Sequence, residues 1–260
     1  MQQTIITTAG RPDETSKRLA QHAASLLHYE IVERKKRSVV KMQQAYHANV
    51  IVAGKERYEY FAYGETEPFF FHPNSAAFRI KRLAKGEHEP LVDACELKEG
   101  DSFLDCTLGI GSDSLVAAFI VGEEGKVVGV EANANVAFIV KEGMRMYNYE
   151  ELPLTSCMRS IQVVQANAVE FLKSQPDRSF DVVYMDPMFE QVIEESSNFE
   201  ALRAAGNHDA LTFEWVQEAK RVAKRRVVLK AHYESAYFEA FGFTQLKRQT
   251  SKFHYGFIEI

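Results

Sequence analysis

From about residue 90 onward the chain alternates short apolar runs with helix-like segments, and this alternation limits the fold more than any other feature. Residues 101–107 read as a short buried strand and 112–121 as an apolar helix. Residues 126–132 (KVVGVEA) are strand-like, and 133–147 carry helical apolar spacing behind an Asn cap. Two more strands, 161–167 and 180–186, flank a helix at 168–174, and after a longer connection come a helix at 211–223 and a strand at 226–230. A short helix at 235–241 leads to two final runs, 243–248 and 253–260, the second alternating like one arm of an antiparallel hairpin. Strands separated by helices pair in parallel, with helices on both faces of the sheet. The terminal hairpin adds an antiparallel strand.

Residues 1–88 have a different texture, so a small N-terminal α/β unit is expected there and a larger α/β domain over 89–260. Residues 4–8 suit a strand, 10–13 a turn capping a helix at 14–27, and 48–53 and 57–63 two strands around a turn at 54–56. A basic helix-like stretch covers 75–85. The net charge of −5 disfavours a polyanionic partner at first sight, but residues 1–90 hold 14 Lys/Arg against 10 Asp/Glu, while the remainder holds 17 against 26. That asymmetry points the first segment toward something anionic, although surfaces also vary without cause. No apolar run reaches the ~18 residues of a membrane helix and no signal peptide is evident, so a cytoplasmic protein is expected. Cys95, Cys106 and Cys157 are isolated, and neither they nor the histidines have metal-ligand spacing; no metal is expected.

Asp105, Cys106, Thr107, Leu108, Gly109, Ile110 and Gly111 lie where the first strand of the larger domain hands over to a helix. In a doubly wound sheet, ligands bind beyond the carboxyl ends of the strands, and glycines there let a ligand approach the backbone. Glu131 follows Gly111 by 20 residues, at the second strand end, where a carboxylate can accept hydrogen bonds from both ribose hydroxyls of a nucleoside cofactor. Two cofactors fit this pattern, a nicotinamide dinucleotide and S-adenosylmethionine. The dinucleotide fingerprint wants Gly or Ala where Ser114 stands. Asp105 suits the ammonium of a methionine moiety better than a pyrophosphate, so the charges favour S-adenosylmethionine. Asp105 could instead simply cap the loop, and Glu131 could simply serve the following helix.

The strand at 180–186 runs into Asp186-Pro187-Met188-Phe189, similar to the (Asp/Asn/Ser)-Pro-Pro-(Tyr/Phe) motif of enzymes that methylate amino groups of nucleobases. An exocyclic base amine is a poor nucleophile because its lone pair is delocalised into the ring. Acceptors aimed at its hydrogens, an Asp186 oxygen and the Pro187 carbonyl, localise that lone pair and orient it for in-line attack. Phe189 would stack an extruded base. The plain alternative is a turn-starting Asp-Pro with Phe189 in the core.

With these residues in view, the chain resembles the RsmJ family of ribosomal RNA small-subunit methyltransferases, which act on guanine N2. The similar stretches are residues 105–115 (DCTLGIGSDSL), Glu131, 184–189 (YMDPMF) and 226–230 (RVVLK). The resemblance implies a Rossmann-like class I methyltransferase fold with a mostly parallel seven-stranded sheet and a terminal antiparallel strand. It implies that Ser112 and Asp113 contact S-adenosylmethionine alongside Asp105, Gly109 and Gly111, that Glu131 and Ala132 hold its ribose, and that Asn167 and Ala168 lie beside the adenine. Asp186 would stand between cofactor and target amine, with rRNA the implied substrate. The chain departs from the family at Ser112, where a basic residue is usual, and in its N-terminal segment.

Rival readings are a non-catalytic RNA or ribosome-assembly scaffold, a small-molecule methyltransferase and a nicotinamide oxidoreductase. Among other residues, the run Arg34, Lys35, Lys36 and Arg37 reads as solvated surface or as part of the basic segment. Lys220, Arg221, Lys224, Arg225 and Arg226 suit a helix C-terminus. Lys230 is placed to meet a phosphate. Trp215, Tyr184 and Phe138 read as core, and the connection 190–207 as a loop that folds over substrate or a plain excursion.

Overall fold

A computed structural model describes residues 2–150, 153–187 and 210–260. Its contacts divide those residues into two units, each with its own sheet: 2–72 with 134–147, and 73–133 with 148–150, 153–187 and 210–260. Residues 73–88 therefore group with the larger unit, and 134–147 with the smaller one, whereas the sequence suggested a single cut near residue 88.

The smaller unit contains strands β1 (Thr4–Thr8), β2 (Asn49–Ala53) and β3 (Tyr58–Phe61) and helices α1 (Glu14–Leu27), α2 (Val39–Tyr46) and α6 (Ala134–Met146). β1 pairs with β2 in parallel and β2 with β3 antiparallel. Helix α1 starts at Asp13 because the Asp13 carboxylate accepts from the Ser16 N–H at 2.8 Å while Ser16 Oγ accepts from the Asp13 N–H at 2.9 Å. It stops at His28 in the left-handed region. Ile5, Met42, Val50, Val52 and Phe61 form the core, and Phe138 of α6 packs edge-on against Tyr58 with ring centroids 4.9 Å apart.

The larger unit runs α3 (Asn74–Leu83), α4 (Pro90–Cys95), β4 (Ser102–Asp105), α5 (Ser112–Val121), β5 (Lys126–Glu131), α7 (Leu154–Ser160), β6 (Ile161–Gln165), α8 (Ala168–Ser174), β7 (Phe180–Met185), α9 (Phe213–Val222), β8 (Ala223–His232), α10 (Tyr237–Ala240), β9 (Thr244–Leu246) and β10 (Phe253–Glu259). Its seven strands lie in the order β6-β5-β4-β7-β8-β10-β9. β4, β5, β6, β7 and β8 pair in parallel, and β10 enters antiparallel between β8 and β9. This is the expected Rossmann-like sheet with its reversed terminal strand. The order turns at β4 and β7, so their carboxyl ends diverge into loops that leave a crevice between them.

The structure adds α2, α4 and α7 to the expected elements and starts β8 earlier. β8 begins at Ala223, so Lys224 and Arg225 sit inside a strand and not at a helix end, while Arg226, in the strand expected at 226–230, is buried at 5% exposure and pairs with Glu96 at 2.9 Å and with Glu259. Arg221 does lie in the last turn of α9, paired with Glu218 and Asp177 at 2.7 Å each. Trp215 and Phe138 are core residues, at 5% and 6% exposure. No described helix is long and apolar enough to cross a membrane, and the three cysteines are free and buried.

Candidate functional site at the strand ends of the larger unit

The loop after β4 is held from below and from behind. Leu108 donates its N–H to the Val130 carbonyl of β5 at 2.9 Å and packs over Gly129, where an added Cβ would come within 2.5 Å of the Leu108 side chain. A side chain at 129 would force the Leu108 side chain to shift, so the glycine inside β5 has a packing cause. Gly109 and Gly111 then adopt φ values of 50° and 82°, left-handed conformations that side chains resist. Gly111 is the N-cap of α5 and supplies no side-chain acceptor, so the first N–H groups of that helix keep their hydrogen-bonding capacity.

Asp105 anchors this loop. It is 1% exposed; one carboxylate oxygen accepts from the Thr107 N–H at 2.9 Å and the other from Ser114 Oγ at 2.7 Å. Burial pushes its pKa up to about 7, against the pull of those two hydrogen bonds. Ser114, the residue that spoiled the dinucleotide fingerprint, is thus the partner of Asp105.

Glu131 ends β5 and is only partly buried. Its two oxygens accept from the Asn133 N–H at 2.8 Å and the Gly109 N–H at 3.2 Å, which ties the second strand end to the glycine loop. Burial raises its pKa, and the backbone N–H groups oppose that rise. Each oxygen retains a lone pair for an outside donor. Beside it, the Ala132 carbonyl accepts from Gln165 Nε2 at 3.1 Å. Asn167 caps α8, accepting from the Val169 and Glu170 N–H groups at 2.9 and 3.3 Å, with Ala168 buried behind it. Ser112 Oγ lies 2.8 Å from Ser75 Oγ, joining the start of α5 to the start of α3.

The fourth strand end brings charges together. The Asp186 N–H donates to Thr107 Oγ1 at 2.7 Å, which pins the end of β7 to the glycine loop. Lys230 Nζ of β8 lies 2.7 Å from Asp186 Oδ2 and 3.2 Å from Asp113 Oδ2. Asp113 also meets Arg79 at 2.5 Å and accepts the Tyr184 hydroxyl at 2.7 Å, and Arg79 in turn pairs with Glu89 at 2.7 Å. Burial alone would raise the Asp113 pKa, but Lys230 and Arg79 outweigh it and hold the carboxyl well below the carboxylate range. Burial works against the charge on Lys230, yet Asp113 and Asp186 keep its ammonium protonated. Burial pushes the Asp186 carboxyl up while Lys230 pulls it down. Tyr255 of β10, 4% exposed, is raised by burial and then by the charge of Asp113.

All five strand-end residues singled out in the sequence, Asp105, Gly109, Gly111, Glu131 and Asp186, therefore belong to one hydrogen-bonded set of loops. Pro187 is buried; Met188, Phe189 and the connection 190–207 lie outside the described residues. Lys230, expected to be open to a phosphate, is engaged by two carboxylates. Tyr184 is core in burial but polar in role, since its hydroxyl meets Asp113. Arg79, Glu89 and Tyr255 gave no signal of their own: nothing in local spacing brings α3, α4 and β10 to one carboxylate. Among the described residues, no group of three or more His, Cys, Asp or Glu could hold a metal ion.

A mostly parallel sheet with a reversed terminal strand, a glycine loop after its first strand and an acid at its second strand end define a Rossmann-like domain equipped for a nucleoside cofactor. A family model described as a putative SAM-dependent methyltransferase matches residues 69–254, and the chain belongs to that family. It is a methyltransferase, and S-adenosylmethionine is its cofactor. The chain is 42% identical over 255 residues to the uncharacterized protein YpiP of Bacillus subtilis (strain 168), covering 98% of this chain and 99% of YpiP. It is 33% identical over 115 residues to the ribosomal RNA small subunit methyltransferase J of Acinetobacter baylyi, covering 44% of this chain and 41% of that enzyme. The enzyme of the same name from Legionella pneumophila is 24% identical over 162 residues, covering 60% of this chain and 63% of its own length. Among solved structures, the SAM-dependent methyltransferase NGO1261 from Neisseria gonorrhoeae shares the fold, with a TM-score of 0.59 at 19% identity over 98% of this chain and 95% of that one.

Proposed function

We propose that the chain transfers the methyl group of S-adenosylmethionine to an exocyclic amine of a base in RNA, guanine N2 of ribosomal RNA in the first instance. The observation that carries this reading is the position of Asp186: a carboxylate at the end of β7, tied through its own N–H to the glycine loop and held by Lys230. The relatives named as ribosomal RNA small subunit methyltransferases support the RNA, over less than half of this chain in the Acinetobacter case, and guanine N2 rests on the family resemblance of the sequence motifs.

The residues present fit the cofactor. The left-handed Gly109 and Gly111 open the loop to close approach, and the uncapped start of α5, with Ser112 and Asp113, presents N–H groups to an anionic end such as a carboxylate. Glu131 accepts the ribose hydroxyls beside Ala132, and the segment at Asn167 and Ala168 borders the base. Asp105, at 1% exposure and engaged by Thr107 and Ser114, acts by holding the loop rather than by meeting an ammonium directly. When bound, S-adenosylmethionine supplies an electrophilic methyl on a sulfonium.

The chain's own task is to present the amine. Lys230 occupies Asp186 Oδ2, which fixes the carboxylate and leaves Oδ1 to accept one amine hydrogen. The Pro187 carbonyl accepts the other. Drawing both hydrogens aside turns the nitrogen lone pair toward the methyl; the N–C bond would form as the sulfonium S–C bond breaks, and the acidic N–H of the methylated amine would then pass its proton to the Asp186 carboxylate and on to water, so no strong base is required. Phe189 is the residue for stacking the base, on the sequence motif alone. Nucleoside mass spectrometry of RNA from cells lacking the protein tests this reading. The loss of one methylated guanosine supports it, and an unchanged set of methylated nucleosides removes RNA as the substrate.

A further inference from the structure

Four cations of the smaller unit stand without carboxylate partners. Arg11, Arg34, Lys36 and Arg37, together with Gly10 and Ser38, line an open pocket of about 410 Å³. Among the described residues, none of the four forms an ion pair. Asp13, the acid next to Arg11, is occupied by Ser16 and lies 3.4 Å from Lys55.

The fold assembles this cluster. β1 pairs in parallel with β2 on one side, and Ile31 bridges Ile6 in parallel on the other. The segments that follow β1 and Ile31 therefore leave the sheet at the same carboxyl end, where α/β sheets gather ligands. Arg11 follows β1, and residues 34–37 follow the Ile31 bridge. Those four residues make a tight turn closed by the Arg37 N–H to the Arg34 carbonyl at 2.9 Å, with Lys35 and Lys36 at φ of 47° and 60°. Such a turn favours Asn-Gly, and here two lysines occupy it.

The guanidinium groups are steadied by carbonyls, which orient without neutralising. Arg34 donates to the Arg37 carbonyl at 3.0 Å and the Thr8 carbonyl at 3.4 Å. Arg37 donates to the Glu33 and Arg34 carbonyls at 2.9 and 3.2 Å. Lys36 and Arg11 are exposed. Cations crowded around a concavity repel one another and attract anions in proportion. The pocket lining holds no carboxylate to reject a phosphate and no aromatic ring to stack a base. Four full charges also exceed what one phosphate neutralises, which favours successive phosphodiesters over a free anion.

We propose that this pocket binds the phosphodiester backbone of RNA and docks the substrate without reading its bases. The inference rests on the reading that RNA receives the methyl group, and it assigns the grip on RNA to a unit separate from the chemistry. Backbone contacts of this kind position a nucleic acid and leave specificity to base contacts elsewhere.

The test uses the full chain and a short single-stranded RNA, with affinity followed by anisotropy between 50 and 300 mM salt, roughly the range over which counterion release is readable. The double variant Arg11→Ala/Lys36→Ala is compared with Lys17→Ala/Lys173→Ala, which removes the same charge from exposed ion pairs. The pocket variant is expected to bind about tenfold or more weakly at low salt, with a salt slope shallower by roughly 1.4, while the comparison variant stays near wild type. Equal binding by the two variants overturns the pocket while leaving methyl transfer to RNA intact. Inorganic phosphate bound at the pocket with no RNA binding overturns the RNA occupant. RNA held through the pocket but never methylated supports the pocket and overturns the methylation reading instead.

Discussion

The two units use the same residue types in opposite ways. In the larger one, Lys230 and Arg79 are surrounded by Asp113, Asp186 and Glu89, both of these cations lying 2.5–3.2 Å from carboxylates. In the smaller one, Arg11, Arg34, Lys36 and Arg37 line a pocket with no acid in it. A paired, buried cation sets the position and charge of its carboxylate, and its removal strands the partner. An unpaired, exposed cation does little for the fold and can answer to an outside anion. The contrast separates residues that shape chemistry from residues that gather substrate.

Breaking the first side of that contrast should have the largest effects. Asp186→Ala removes the amine acceptor and is expected to lower methyl transfer by ~10²–10³-fold in single-turnover assays, the scale of losing one preorganised electrostatic contact. Lys230→Met leaves Asp113 and Asp186 facing each other with only Arg79 nearby. A loss of about 3 kcal/mol in urea unfolding is expected, as for removing one partner of a buried pair. Glu131→Ala should weaken S-adenosylmethionine binding by roughly 30-fold in calorimetry, about 2 kcal/mol for hydrogen bonds to a charged acceptor, with the fold intact.

Asp105 sharpens the comparison through pH. Its folded pKa, pushed up to about 7 from 3.8, lies above its unfolded value. The folded state then holds the extra proton, so this group's contribution to stability falls as pH rises from about 4 to about 7 and is flat beyond. The slope is on the order of 1 kcal/mol per pH unit at its steepest. Asp105→Asn should lack that slope, so the stability of the variant relative to wild type should rise with pH across this range; a difference that does not change with pH means the buried proton is elsewhere. On the other side of the contrast, Lys36→Ala should shift stability by no more than ~0.5 kcal/mol, since no described carboxylate is left behind.

Much of the larger unit was legible because its signals are local. The alternation of strand and helix gave the parallel sheet, and Asp105, Gly109, Gly111, Glu131 and Asp186 each fall at a strand end that periodicity can find. Gly129 looked like an ordinary strand residue until Leu108 was seen packed on it. The ion-pair network was out of reach, because Arg79, Glu89, Asp113, Lys230 and Tyr255 meet only through the sheet's crossovers. Lys224 and Arg225 fall inside a strand instead of at a helix end for a similar reason: β8 starts directly at the end of α9, with no turn residue to mark the change. The short helices α2, α4 and α7 lack the length at which helical spacing becomes distinct. The pairing of α6 with the smaller unit is a long-range outcome that no local pattern announces.

The central claim, that Asp186 presents an exocyclic amine to the methyl donor bound at the glycine loop, is tested most directly by methyl-labelled S-adenosylmethionine. Purified wild type and Asp186→Ala would be incubated with RNA from cells lacking the protein, and the digested nucleosides separated and identified. Label on the exocyclic nitrogen of guanosine with wild type, lost with Asp186→Ala while cofactor binding persists, is the predicted result. Label on a ribose, on a ring carbon or on no nucleoside at all would contradict it.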